Sequence, residues 1–176
     1  MSRKPARHTP WKAGIFAGLL LSALPAAWAQ NDTALPGDKL VLELREAFRK
    51  GDKAKLTQLL PSARGHVLEP WAAYWELKAR LDEASADEIL GFFKRWPGTY
   101  QEDRLRNDWL LLLGQRRDWG MFDQVHGAFR MRDDRSVSCY ALLIDSIKGQ
   151  PAANLGQQVR DLWWAQRDAD DGCTYA

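Results

Sequence analysis

The residues of this chain best suited to recognition are its tryptophans, nine among 176 residues. Trp71, Trp75 and Trp119 are the candidates for stacking an indole face on a sugar ring. The competing use of the same rings is packing between helices, because indoles fill irregular gaps. Most of the tryptophans stand at helical spacing from Leu or Phe partners, as core residues do. Cys139 and Cys173 are the two cysteines. In an oxidising compartment only one internal pairing is open to them; the alternatives are two free thiols or a bridge between chains. Neither lies in a C-x-x-C motif, and two isolated cysteines make a poor metal site.

Acid–base chemistry has little to work with. Of His8, His66 and His126, the first falls in the leader described below. His66 reads as a loop residue and His126 as near a helix end, each without a carboxylate or cysteine at metal-ligand spacing, so both are expected to be solvated. Carboxylates gather at turns, as in Asp133-Asp134 and Asp168, Asp170 and Asp171, where they favour the positive end of a helix dipole. A glycosidase acid needs an apolar pocket to stay protonated, and exposed Asp runs provide the opposite. H-E-x-x-H, G-x-S-x-G, Walker and Gly-rich phosphate-loop sequences do not occur. The sequence therefore offers no catalytic residue, no metal site and no cofactor site.

The elements that would position these residues are all helical. Helices are expected over about 38–50, with Asp38 as N-cap and Leu40, Leu44, Ala47 and Phe48 on one face, and from Asp52 to Pro61, with Leu56, Leu59 and Leu60 inside. Pro70 starts a third, carrying Trp71, Tyr74, Trp75, Leu77 and Leu81. Ser85 and Glu88 form a capping box for a fourth with Ile89, Phe92, Phe93 and Trp96. The stretch 101–116 is apolar enough, through Leu105, Trp109, Leu110, Leu111, Leu112 and Leu113, to be sandwiched between neighbours. Asp118 caps the next, with Phe122 and Val125. Two more are expected over 135–148, with Tyr140, Leu143, Ile144 and Ile147, and 152–166, with Leu155, Val159, Leu162 and Trp163 inward. A last segment starts near Asp168. No stretch alternates as a strand does. The turns at Asp52 and Asp118 echo each other 66 positions apart, about twice the 34-residue tetratricopeptide period. The expected fold is all-α, a superhelical stack of about eight short helices paired as hairpins.

Residues 1–29 read as a cleaved secretory signal peptide: Arg3, Lys4, Arg7 and Lys12 precede an apolar run, and Ala27-Trp28-Ala29 supplies the small-x-small cleavage pattern. The run is short for a bilayer span, so no stable membrane anchor is expected. Residues 30–37 read as a flexible mature N-terminus, and 38–176 as the helical domain. Losing four positive charges takes the formal charge of +2 to about −2, which argues against a nucleic-acid partner. The expected location is the periplasm.

Several segments then follow one another in a distinctive order. They are Tyr74-Trp75, Phe92-Phe93-Lys94-Arg95-Trp96-Pro97-Gly98, Asp103-Arg104-Leu105-Arg106-Asn107-Asp108-Trp109-Leu110 to Leu113-Gly114, Asp118-Trp119, Asp133-Asp134-Arg135 to Cys139-Tyr140, and Leu162-Trp163 to Cys173. This order, over most of residues 40–173, resembles the helical N-terminal domain of proteobacterial soluble lytic murein transglycosylases. The resemblance implies a U-shaped superhelix that guides a peptidoglycan glycan strand and supports a C-terminal lysozyme-like domain. In the family that domain supplies a Glu, in a Glu-Ser motif, for non-hydrolytic cleavage of the MurNAc–GlcNAc bond. Neither Glu-Ser nor Gly-Leu-Met-Gln occurs in this chain, so no catalytic residue carries over. The implied role is a non-catalytic scaffold portion, truncated at its C-terminal end. The alternative is a stand-alone periplasmic adaptor, tetratricopeptide-like, that binds a protein partner.

Overall fold

The computed structural model describes residues 36–151, 153–165 and 171–176. The expected signal peptide lies outside them, as do most of the expected flexible N-terminus and residues 166–170. The described residues form α1 (Pro36–Lys50), α2 (Lys53–Leu59), a 3-10 turn (Leu60–Ala63), α3 (Glu69–Ala79), α4 (Ala86–Arg95), α5 (Tyr100–Arg116), α6 (Trp119–His126), α7 (Arg135–Ile147), α8 (Leu155–Trp164) and α9 (Asp171–Tyr175). Among them there is no strand, and no helix long and apolar enough to cross a membrane. The protein is all-α.

Local chemistry sets most of the helix starts. A short polar side chain in front of a helix satisfies backbone N–H groups that have no intrahelical partner. Asp52 accepts from Lys55 N at 3.0 Å, Asp118 from Met121 N at 3.1 Å and Asp134 from Val137 N at 3.1 Å. Ser85 and Glu88 form the full reciprocal capping box. Ser85's backbone N–H, the Arg80 ion pair and the Ser85 hydroxyl hold the Glu88 carboxyl down at about 2. Thr99, not anticipated as a cap, accepts from Glu102 N at 3.2 Å at the head of α5.

The echo between the two hairpin turns is geometric. Gly51 (φ 69°) and Arg117 (φ 59°) both take the left-handed conformation, and each is followed by an Asp N-cap. At each turn a pair of backbone bonds closes the preceding helix: Gly51 N to Phe48 O and Asp52 N to Ala47 O, then Arg117 N to Gly114 O and Asp118 N to Leu113 O. Glycine adopts this conformation freely, whereas arginine has a Cβ that crowds it. Arg117 has a compensating contact, its guanidinium lying 4.9 Å from the Tyr175 ring centre.

Two apolar clusters fill the stack. Leu44, Ala47, Leu56, Ala63 and Ala72 join α1, α2 and α3. A larger cluster runs from Tyr74 and Leu77 through Phe92, Phe93, Leu105, Trp109 and Leu110 to Phe122, Phe129, Val137 and Tyr140. α5 is sandwiched, packing against α3, α6, α7 and α9. The approach of α5 to α7 is so close that a Cβ at Gly114 would overlap the Tyr140 ring.

The structure departs from expectation at several elements. α1 begins at Pro36, so Asp38 lies inside its first turn instead of capping it. Proline suits a first helical position, where its missing N–H is no loss. Pro61 does not end the chain's turning but sits in the first turn of the 3-10 segment. Leu81 is buried beyond the end of α3. The largest difference is α8, which buries no residue: Trp163 is 41% and Trp164 80% exposed. Its main neighbours among the described residues are α7 and the short α9, too little surface to cover the apolar side of a ten-residue helix.

Candidate functional site

The candidate site is a groove between α1 and α3. Its lining is Val41, Leu42 and Arg45 from α1, Leu68 from the connection, and Trp71 and Trp75 from α3, enclosing about 450 Å³. Trp71 and Trp75 stand four positions apart on one helical face, as neighbours one turn apart do, with ring centres 5.8 Å apart. Phe48 of α1 stacks on Trp75 at 6.3 Å, and Tyr100 at the head of α5 lies 5.7 Å from Trp71. A row of four rings, Phe48–Trp75–Trp71–Tyr100, therefore runs along this surface. Leu42 and Tyr100 are more than half exposed.

His66 fixes one end of the groove. Its Nε2 lies 3.0 Å from Asp38 Oδ1, and its Nδ1 accepts from Leu68 N at 3.1 Å. The ring thereby joins the first turn of α1 to the residue that precedes α3. The expectation of a solvated His66 is corrected: the side chain is only 18% exposed. The Asp38 partner lies 28 positions back in the chain, beyond the reach of local spacing.

Trp119 does not join this site. It packs on Tyr140, ring centres 6.0 Å apart, between α6 and α7. Cys139 and Cys173 form a disulfide that fastens α9 to α7. That bond is buried, and neither sulfur is available for metal ligation. Among the described residues no cluster of His, Cys, Asp or Glu could hold a metal ion.

The sequence reading placed the carboxylates at turns, yet the four most buried lie within α3 and α5. Glu76 accepts from Thr57 Oγ1 at 2.8 Å and Arg80 Nε at 2.7 Å. Glu102 pairs with Arg106 and with Arg130 at 3.0 Å. Asp103 accepts the backbone N–H of Arg130 at 3.0 Å and of Met131 at 2.7 Å. Asp108 accepts from Tyr74 Oη at 2.8 Å and pairs with Lys78 at 2.7 Å. Burial, and then the Asp108 charge, push the Tyr74 hydroxyl up from its ordinary value. Each of these carboxylates is committed to cations or N–H donors. A proton-donating acid is instead set in an apolar pocket without such partners. The Asp103–Trp109 segment, the most distinctive in the sequence, is thus a spine of interhelical ties.

His126 is also not solvated. It stacks on Phe122 with ring centres 5.5 Å apart, and burial, reinforced by Arg132, lowers its pKa below the ordinary 6.5 while Asp145 and Asp123 oppose the shift. Between the lowered value and 6.5 the unfolded chain binds a proton that the native state refuses, so native stability rises with pH across that window. The melting temperature should therefore fall between pH 7.5 and pH 5.5, and His126→Gln should make that fall smaller. An identical fall in both proteins would remove the account.

The groove is lined by aliphatic and aromatic side chains, with Arg45 as the one ionisable residue among them. It offers flat aromatic faces, aliphatic walls and one cation, Arg45, which has no ion-pair or hydrogen-bond partner among the described residues. No known family, no curated protein and no solved structure matches this chain.

Proposed function

We propose that this chain is a non-catalytic helical scaffold of the lytic transglycosylase type, acting in peptidoglycan turnover in the periplasm by contacting the glycan strand. Two things support the reading: the order of motifs from Tyr74-Trp75 to Cys173, and the Trp71–Trp75 platform. Indole faces stack on the C–H face of a pyranose much as they stack on other rings, and two faces 5.8 Å apart suit neighbouring positions on one strand.

Purified sacculi should retain the protein, and Trp71→Ala with Trp75→Ala should reduce retention at least fivefold. Retention no better than that of an unrelated helical protein would sink the proposal. A second reading, a periplasmic adaptor for a protein partner, is favoured by the groove walls. Val41, Leu42 and Leu68 give a sugar's hydroxyls nothing to bond, whereas an amphipathic helix would bury its apolar face there.

A further inference from the structure

A second cavity lies among α6, α7 and α8, far in sequence from the tryptophan groove. It encloses about 210 Å³, with Phe129, Val137, Ala141, Leu142 and Leu162 among its apolar walls. Three ionisable groups also line it: His126, Arg132 and Asp145. Arg132 is exposed and Asp145 half-buried, and neither has an ion-pair partner among the described residues, in contrast to the buried carboxylates of α3 and α5. Glu76, Glu102, Asp103 and Asp108 all have ion-pair partners. The Asp145 carboxylate has no hydrogen-bond or ion-pair partner among the described residues. Arg132 spends only its Nε, on Phe129 O at 3.3 Å, leaving both terminal nitrogens of the guanidinium uncommitted. Arg132 also holds a left-handed backbone (φ 48°), an unfavourable conformation for a side chain with a Cβ.

A cation and an anion without ion-pair partners, on one small cavity whose lining is half polar and half apolar, suit a ligand carrying both signs. The volume corresponds to about seven water molecules at roughly 30 Å³ each. That is the size of an α-amino acid with a short side chain. We propose that the α6–α7–α8 cavity binds a small free α-amino acid, its carboxylate on the Arg132 guanidinium, its ammonium on Asp145 and its side chain against Ala141, Leu142 and Leu162. A guanidinium matches a carboxylate with two parallel N–H donors. His126 lies within the electrostatic reach of both Arg132 and Asp145, so its ring reports occupancy.

The test is an NMR titration of the full chain at pH 7.5, following the His126 ring signals with glycine, L- and D-alanine and L-valine. Propionate and ethylamine serve as single-charge controls. At least one amino acid should move the His126 signals saturably at roughly millimolar concentration, the range that about six heavy atoms allow. The controls should bind at least tenfold more weakly. Arg132→Gln and Asp145→Asn should each weaken binding at least tenfold while keeping the wild-type melting curve, since neither side chain ties two elements together. No saturable shift, single-charge compounds binding as well as the zwitterion, or unchanged binding in both variants would each overturn the proposal.

Discussion

Replacing Cys139 and Cys173 together by alanine is expected to lower the unfolding free energy by about 4 kcal/mol, the chain-entropy value for closing a loop of this length. The bond spans 34 positions and joins α7 to α9. α9 packs closely on α7 and also meets α5 and α8. α9 is five residues long, and its seat depends on Gly172, whose N–H donates to Ser136 Oγ at 3.0 Å. A Cβ at Gly172 would overlap the Ser136 backbone, so the helix is held close against α7. Set against the 5–15 kcal/mol that a domain of this size commonly has, the loss is severe. Urea unfolding should show it. Dithiothreitol should lower the wild-type midpoint and leave the alanine variant unmoved. Oxidised and reduced wild type melting together would refute the assignment of stability to this bond.

Asp103→Ala should cost about 3–5 kcal/mol, the range for breaking a buried ion pair by removing one partner. The carboxylate is 2% exposed. It holds the N–H groups of Arg130 and Met131, and the guanidiniums of Arg106 and Arg130 lie 4.0 and 3.7 Å away. Its loss strands two backbone donors beside Phe129, itself only 1% exposed, and leaves the buried Arg106 with Glu102 as its one ion-pair partner. Asp133→Ala, on the same loop but exposed, should change stability by no more than about 0.5 kcal/mol. Thermal unfolding of the two variants separates a specific tie from a general charge effect; equal losses would show that Asp103 has no special place.

The parts legible in the sequence were the local ones. Asp52, Ser85 and Asp118 cap helices through bonds to residues three positions on, and spacing alone exposes such bonds. Trp71 and Trp75 were legible as one helical face. Phe48 and Tyr100, which complete the ring row, were not, because they arrive on other helices. The buried spine of α5 was hidden for a different reason. The spacing of Asp103, Arg106 and Asp108 does not name their partners, and the loop at Arg130 and Met131 that Asp103 binds lies 27 and 28 positions away. α8 failed in the reverse direction: its apolar spacing promises a core, but spacing does not say whether a neighbour exists to cover it.

The ties that cross the stack have a common reach. Lys53 to Glu83 spans 30 positions, Tyr74 to Asp108 spans 34, Asn107 to Asp134 spans 27, and the disulfide spans 34. Under a pulling force a molecule wired this way does not yield everywhere at once. It gives way tie by tie from whichever end is weaker, each release freeing one hairpin's length, roughly 100 Å of extended chain. The C-terminal end is the exception. Its covalent fastener withholds about 110–120 Å of slack between Cys139 and Cys173, so a force–extension record should gain that step only in the presence of a reductant. The disulfide is the covalent link among these ties, and a reductant is what would open it.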